Sequence, residues 1–271
     1  MDKTPTSVNQ KTYLVPSVDQ ALRVMICLTD NGNTPKSLTE ICREVGIHRS
    51  KAFSILNTLN AFGFVKKNPN RGGYVLGPGL LTITGKMLET LSLPRIADPV
   101  LTELAKKSKA TVSLGVISED KTYIVSEYQG APGMGVSSPL GYVTHMSYGA
   151  HGKAIAAFLP PEELNDLLKS RDLYFYGRPE KYNKTRLLKE LGECRRVGFS
   201  LELGDIQQGM NAIAAPILDE NNYPIGYVTI VGFFSEEKAH KLGPMVVEAV
   251  KMLSRQAGHM LLWRKASKYL K

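Results

Sequence analysis

Residues 46–59 read GIHRSKAFSILNTL. At helical spacing, Ile47, Phe53, Ile55, Leu56 and Leu59 fall on one apolar side. His48, Arg49, Ser50, Lys51, Ser54 and Asn57 fall on the other, and no acidic residue joins them. A helix is about 10–12 Å across and fits the major groove of B-DNA. Any group on its outward face must then tolerate roughly one phosphate charge per 1.7 Å of duplex axis. A carboxylate there would be repelled, which accounts for an outer face made only of cations and hydrogen-bonding groups.

The flanking sequence supports this placement. Ser17 with Gln20 predicts a capping box before ALRVMICL, whose Leu22, Met25, Ile26 and Thr29 lie along one helix face. DNGNTP at 30–35 breaks that helix. Ser37 with Glu40 predicts a second capping box, and Leu38, Ile41 and Val45 recur at i, i+3 and i+7. Gly46 supplies the sharp turn into a third helix from about Arg49, which completes a helix-turn-helix layout. Two short strands, Phe64-Val65 and Tyr74-Val75-Leu76, flank the polar turn NPNRGG. Lys66, Lys67 and Arg71 crowd this hairpin, as the wing of a winged helix requires in order to lie along a phosphate backbone. Arg49 and Lys51 can reach phosphates or guanine, Asn57 can reach adenine or backbone, and Ser50 and Ser54 permit close approach.

The charge distribution agrees. The chain has 271 residues and a formal net charge of +9. Residues 1–78 hold ten Lys/Arg against five Asp/Glu, 79–95 two against one, and 96–271 22 against 19. More than half the excess lies in the first third, a nucleic-acid footprint. The three cysteines, Cys27, Cys42 and Cys194, have no paired spacing, so neither a disulfide framework nor a zinc knuckle is expected. The longest apolar runs are far shorter than a membrane span, and MDKTPTSVNQKTY lacks the apolar segment of a signal peptide. A reducing cytoplasm is the expected compartment.

Residues 79–93 predict a linker helix ending at Pro94. Beyond it, PVLTELAKKS predicts a helix, and ATVSLGVIS and KTYIVSEYQ predict a strand pair joined by a tight turn. GYVTHM, FSLEL, NAIAAPIL and YPIGYVTIVGF add strands. GAHGKAIAAFL, PPEELNDLLKS, TRLLKELGECRRVG and a long tail from Ser235 to Leu270 add helices. Adjacent hairpins mixed with helices imply an α+β domain whose antiparallel sheet can carry a small-molecule pocket. Catalytic and cofactor signatures are missing: there is no GxSxG, HExxH, P-loop or GxGxxG pattern. His145 and His151 stand six apart with no cysteine or paired carboxylate beside them, a poor metal set. No catalytic residue, metal or cofactor is assigned. The rival class is a ligand-binding or hydrolytic enzyme whose basic first third serves association.

Taken in order, VPSVDQALRVM (15–25), SLTEICREVGIHRSKAFSILNTLNAFGFV (37–65), YVLGPGLL (74–81), GAHGKAIAAFLPPEEL (149–164), RRVGFSLELGDIQQGMNAIAAPI (195–217) and GYVTIVG (226–232) resemble the IclR-type bacterial transcription regulators over nearly the whole chain. That resemblance implies a winged helix-turn-helix DNA-binding domain (1–78), a linker helix (79–95) and a GAF-like effector-binding and oligomerisation domain (96–271). It implies a sequence-specific regulator that binds operator DNA as a homodimer or dimer of dimers and answers to a small-molecule effector. The DNA contacts it implies are Ser37, Thr39, His48, Arg49, Ser50, Lys51, Ser54, Asn57, Lys66, Lys67 and Arg71. The effector contacts it implies are Met146, Ser147, Tyr148, Ala150, His151, Glu202, Asp205, Ala212, Thr229 and Val231. Within that pattern Ala212 replaces a frequent Cys or Ser, Val231 a frequent Ser, Ser147 a frequent His and Ser54 a frequent Arg. The first three swaps favour a larger, more apolar or aromatic effector, and the fourth shifts base contacts toward Arg49, Ser50 and Lys51. Asp205 fits the family's acidic position, with bracing of its loop as the alternative role.

Overall fold

The structure, a computed structural model, describes residues 14–29, 34–69, 72–90, 92–130, 136, 137 and 139–256. It forms two compact units that divide between residues 90 and 91.

The first unit runs α1 (Pro16–Cys27), α2 (Leu38–Val45), α3 (Arg49–Ala61), β1 (Val65–Lys67), β2 (Tyr74–Leu76) and α4 (Gly79–Thr90). Its core gathers Val24, Cys27, Leu28, Ile41, Ile47, Ala52, Ile55, Leu56, Leu59, Val65 and Tyr74. The capping box at α2 forms in full: the Ser37 hydroxyl accepts from the Glu40 N–H, and the Glu40 carboxylate accepts from the Ser37 N–H. Gly46 ends α2 in the left-handed region at φ 71°, where a side chain would be strained, and so sets the turn into α3. Strands β1 and β2 pair antiparallel, Val65 opposite Leu76. Lys36, just before α2, bridges to Tyr74 and ties the wing to the helix pair.

Three expectations are corrected here. The Ser17–Gln20 box does not form, because α1 starts at Pro16 behind an N-cap at Val15 with no side-chain cap. Proline at the first helical position lacks only an N–H that has no partner there anyway, so the cap moves upstream. The buried face of α1 is Val24, Cys27 and Leu28, whereas Leu22 and Ile26 stay more than half exposed. On α3, Ile47, Ile55, Leu56 and Leu59 are buried as expected, but Phe53 is 50% exposed.

The second unit opens with α5 (Ser92–Ser108). It starts before Pro94 and contains both Pro94 and Pro99, so neither proline opens a helix. Pro94 falls in the first turn, where its missing N–H removes no helical bond. Then follow β3 (Thr111–Ser118), β4 (Lys121–Gln129), β5 (Val143–His145), α6 (Gly149–Phe158), α7 (Pro161–Leu168), α8 (Lys184–Val197), β6 (Ser200–Leu203), β7 (Asn211–Leu218), β8 (Pro224–Gly232) and α9 (Glu236–Gln256). The tail beyond 256 lies outside the described residues.

Strands β3 to β8 form one six-stranded antiparallel sheet in the order β5-β4-β3-β8-β7-β6. Successive residues of a strand point to opposite faces. On one face Ala212 and Ala214 of β7 pack with Ala150 and Ala154 of α6. On the other, Ile213, Ala215 and Ile217 are fully buried where α9 packs against β7. Among the described residues, no helix is long and apolar enough to cross a membrane.

Candidate functional site

In the first unit, Ser37, Thr39, His48, Arg49, Ser50, Lys51, Ser54, Asn57, Lys66 and Lys67 are all exposed. Arg71 lies outside the described residues. A concave cleft of about 690 Å³ runs between the starts of α2 and α3 and the wing, lined by Ser37, Leu38, His48, Arg49, Ser50, Phe53, Lys67, Gly73 and Tyr74. The Arg49 guanidinium donates to the Thr39 hydroxyl at 3.4 Å, which links the two helix starts. His48 Nδ1 and the Ser50 hydroxyl are 3.1 Å apart. Ser54 donates to the Ser50 carbonyl at 3.1 Å, and Thr58 to the Ser54 carbonyl at 3.0 Å, so both hydroxyls are turned back onto the helix.

The nearby acids of this unit are committed elsewhere. The Ser37 hydroxyl and N–H hold the Glu40 carboxyl below its ordinary range. Glu44 pairs with the buried Lys36 ammonium and accepts from the Cys27 thiol at 3.1 Å. The hydrogen bond from Lys36 lowers the Glu44 carboxyl in turn, while burial pushes the Cys27 thiol up to about 11. The outer face of α3 is therefore free of competing carboxylates, and Arg49, Lys51 and Asn57 are exposed on it.

The second unit brings part of the expected effector set together. Glu202, Ala212, Val231 and Thr111 stand side by side across β6, β7, β8 and β3. The next row is Ser200, Ala214, Thr229 and Ser113. Both rows face α6, since Ala212, Ala214 and Val231 pack with Ala150 and Ala154, and Ser200 donates to the Ala150 carbonyl at 2.6 Å. Four buried polar atoms on these rows have no hydrogen-bond partner: Glu202 Oε2, Thr111 Oγ1, Ser113 Oγ and Thr229 Oγ1. Buried polar atoms are nearly always paired, so four orphans on one face mark a place built to meet a polar group. The second oxygen of Glu202 accepts from the Ile206 N–H at 3.0 Å, yet burial still raises its carboxyl.

His151 lies at the edge of this face, its ring stacked on Tyr227 with centroids 4.5 Å apart and planes at 11°. Its Nε2 is 2.9 Å from the Thr144 hydroxyl, which is 2.7 Å from that of Thr122; Tyr227 donates to Thr122 at 3.3 Å. Burial drives the imidazole down to about 3, so it is neutral at ordinary pH. Tyr227 seats its ring where Gly115 has no side chain, and a Cβ there would come within 2.1 Å of Tyr227 Cζ.

The remaining expected effector residues lie in other surroundings. The Ser147 hydroxyl is 2.7 Å from His145 Nδ1 and accepts from the Tyr174 N–H at 3.0 Å, so it holds its loop together. Met146 packs into the larger cluster around Phe175, Tyr176 and Tyr227. Tyr148 immediately precedes α6 without a side-chain cap bond, its ring 5.9 Å from that of His151. Asp205 accepts two bonds from Arg186 at 3.0 and 2.7 Å, and Arg186 stacks 4.3 Å over the Tyr176 ring. Burial opposes ionisation of Asp205, but the guanidinium outweighs it and holds the carboxyl low, which makes Asp205 a brace for its loop. Sequence reasoning missed Thr111, Ser113, Thr122, Thr144 and Tyr227. Strand alternation could have paired Thr111 with Ser113, but not placed β3 beside β8. Among the described residues, no cluster of His, Cys, Asp and Glu is arranged to hold a metal ion.

Comparison with known proteins completes the assignment. Residues 17–69 match the IclR helix-turn-helix domain, and residues 85–257 match the bacterial transcriptional regulator IclR C-terminal domain. The chain is 26% identical to the transcriptional repressor IclR of Escherichia coli over 254 residues, 92% of each chain. It is 25% identical to the regulator KdgR of the same organism, over 90% of this chain and 94% of that protein. Among solved structures it is similar to an IclR transcriptional regulator from Alicyclobacillus acidocaldarius, with a TM-score of 0.77 and 22% identity, covering 91% of this chain and all of that one. It also shares the fold of an IclR homologue from Microbacterium hydrocarbonoxydans complexed with 4-hydroxybenzoate, with a TM-score of 0.74 and 16% identity over 88% and 98% of the chains. The chain belongs to the IclR family and is a DNA-binding transcriptional regulator rather than an enzyme.

Proposed function

We propose that residues 1–78 bind operator DNA with α3 in the major groove, that 79–95 link the domains, and that 96–271 bind the effector. Arg49, Lys51 and Asn57 make the base and phosphate contacts of α3, with His48, Ser50 and Ser54 at close approach. Lys66, Lys67 and Arg71 lie along the backbone. Ser37 and Thr39 meet phosphate at the start of α2, the Ser37 O–H being free to donate because its oxygen is the capping acceptor. The acid-free outer face of α3, opposite a fully packed inner one, carries this assignment.

The effector sits beside α6, over the part of the two sheet rows that carries the unpaired polar atoms. Ala150, Ala212 and Val231 offer an apolar floor, and Glu202, Thr229, Thr111 and Ser113 offer unpaired polar atoms. With the His151–Tyr227 stack at its edge, this face suits an aromatic or largely apolar molecule that carries hydroxyl or carbonyl groups. Operator binding is dimeric. Val18, Leu22 and Ile26 recur every fourth residue along α1 and are exposed, an apolar stripe of the kind two copies bury together. Effector binding changes the spacing at which two winged helices are held, and thus which half-sites they span.

Selection of bound sequences from random DNA, with and without a panel of aromatic and aliphatic metabolites, tests both halves. A single enriched operator whose retention changes with one metabolite class is expected. Arg49→Ala costs ~1–3 kcal/mol of operator affinity if it makes a base contact. Unenriched pools, or unchanged affinity of that variant at fixed salt, overturn the assignment.

A further inference from the structure

Phe53 is the one large apolar side chain on the outward half of α3, and it stands apart from the core of its domain. It is 50% exposed and stands outside the core cluster and the partly buried residues packed against it. It lies one turn beyond Arg49 and one turn before Asn57, within the set assigned to base contact. Its ring lines the cleft beside His48, Arg49 and Ser50. The neighbouring hydroxyls are already engaged, Ser54 with the Ser50 carbonyl and Ser50 with His48. What this stretch of α3 offers to a groove is thus an apolar ring framed by cations. In an unmodified major groove, the apolar feature that distinguishes one base pair from another is the 5-methyl group of thymine.

We infer that Phe53 is a specificity-determining residue that reads a thymine methyl in each operator half-site. This rests on the DNA-binding mode proposed above. The ring covers the methyl when α3 enters the groove, while Arg49 and Lys51 anchor the backbone or guanine on either side. Removing one methyl removes about one buried carbon, which is worth roughly fourfold in affinity per half-site.

The test uses the full-length protein and the operator recovered by selection. Each thymine is replaced in turn by deoxyuridine, which keeps every hydrogen bond and loses only the methyl. Wild type is expected to lose roughly fourfold at one thymine per half-site. Phe53→Ala binds thymine and deoxyuridine operators equally, and selection with it no longer enriches thymine at that position. If Phe53→Ala folds poorly, Phe53→Gln keeps the length without the ring and is expected to show the same indifference. Two outcomes overturn the inference: a wild type insensitive to every methyl, or a variant that keeps the wild-type sensitivity. A wild type that enriches no sequence at all refutes the DNA-binding mode itself, and is told apart because no operator is recovered.

Discussion

His151 makes the stability of the effector-binding unit pH-dependent in a way that can be worked out beforehand. In the unfolded chain its imidazole titrates near 6.5, and in the fold burial lowers it to about 3. The folded value is the depressed one, so between these limits the unfolded chain binds the extra proton. Stability is then fully present above 6.5, falls as pH drops through 6.5, and levels off near 3. From pH 7.5 to pH 5.0 the loss is about 2 kcal/mol, because 1.5 units below the unfolded value each cost about 1.4 kcal/mol. The magnitude hardly depends on the folded value, provided that it lies well below 5. Urea unfolding of wild type and His151→Gln, followed by circular dichroism at pH 7.5 and 5.0, isolates the contribution. The variant starts less stable, having lost the Tyr227 stack, but its gap to wild type is expected to shrink by about 2 kcal/mol at the lower pH. Parallel losses in the two proteins would refute an imidazole held neutral by the fold, as would a ¹³C-labelled His151 resonance that titrates near 6.5.

Other outcomes follow from the same structure. Ser37→Ala removes the capping box of α2 and is expected to cost ~1 kcal/mol, read as an earlier urea midpoint of the DNA-binding unit. Gly115→Ala places a methyl inside the Tyr227 ring and is expected to destabilise the sheet unit by about 1–3 kcal/mol, with a lower Tm; an unchanged Tm would mean that the ring is free to move aside. Lys66→Ala and Lys67→Ala each flatten the salt dependence of operator binding by about one unit of slope without changing the selected sequence. Leu22→Asp weakens binding to a two-half-site operator while leaving a single half-site untouched, and equal effects on both would place the α1 stripe outside the dimer contact.

Much of the architecture was legible in the sequence because local signals mark the helix and strand ends. The Ser37–Glu40 box, Gly46 and the polar wing turn each act within a few residues; the structure has the first two, and the strands that flank the third pair antiparallel. Where the signal was ambiguous, packing decided. Ser17 with Gln20 has the pattern of a cap, but Pro16 opens the helix two residues earlier than a cap at Ser17 would. Position 53 neighbours both Ala52, which is buried, and Ser54, which is exposed, so its hydrophobicity alone could not assign its face. The effector face was only half legible. Glu202, Ala212, Thr229 and Val231 were expected there, and the swaps at Ala212 and Val231 suggested a mainly apolar surface. Thr111 and Ser113 restore polar atoms to it from a strand far away in sequence, through a pairing that no local pattern encodes.

The strand order also sets a timetable for synthesis. Every packing partner in the core of the winged helix lies between residues 21 and 76, so that domain can close as soon as its wing has emerged. The sheet cannot. Thr111 pairs with Val231, and β3 keeps one edge open until β8 arrives beside it. At about 5–20 residues per second, that gap lasts on the order of ten seconds. Each new copy therefore passes through an interval in which its DNA-reading surface is complete and its effector-responsive sheet is not.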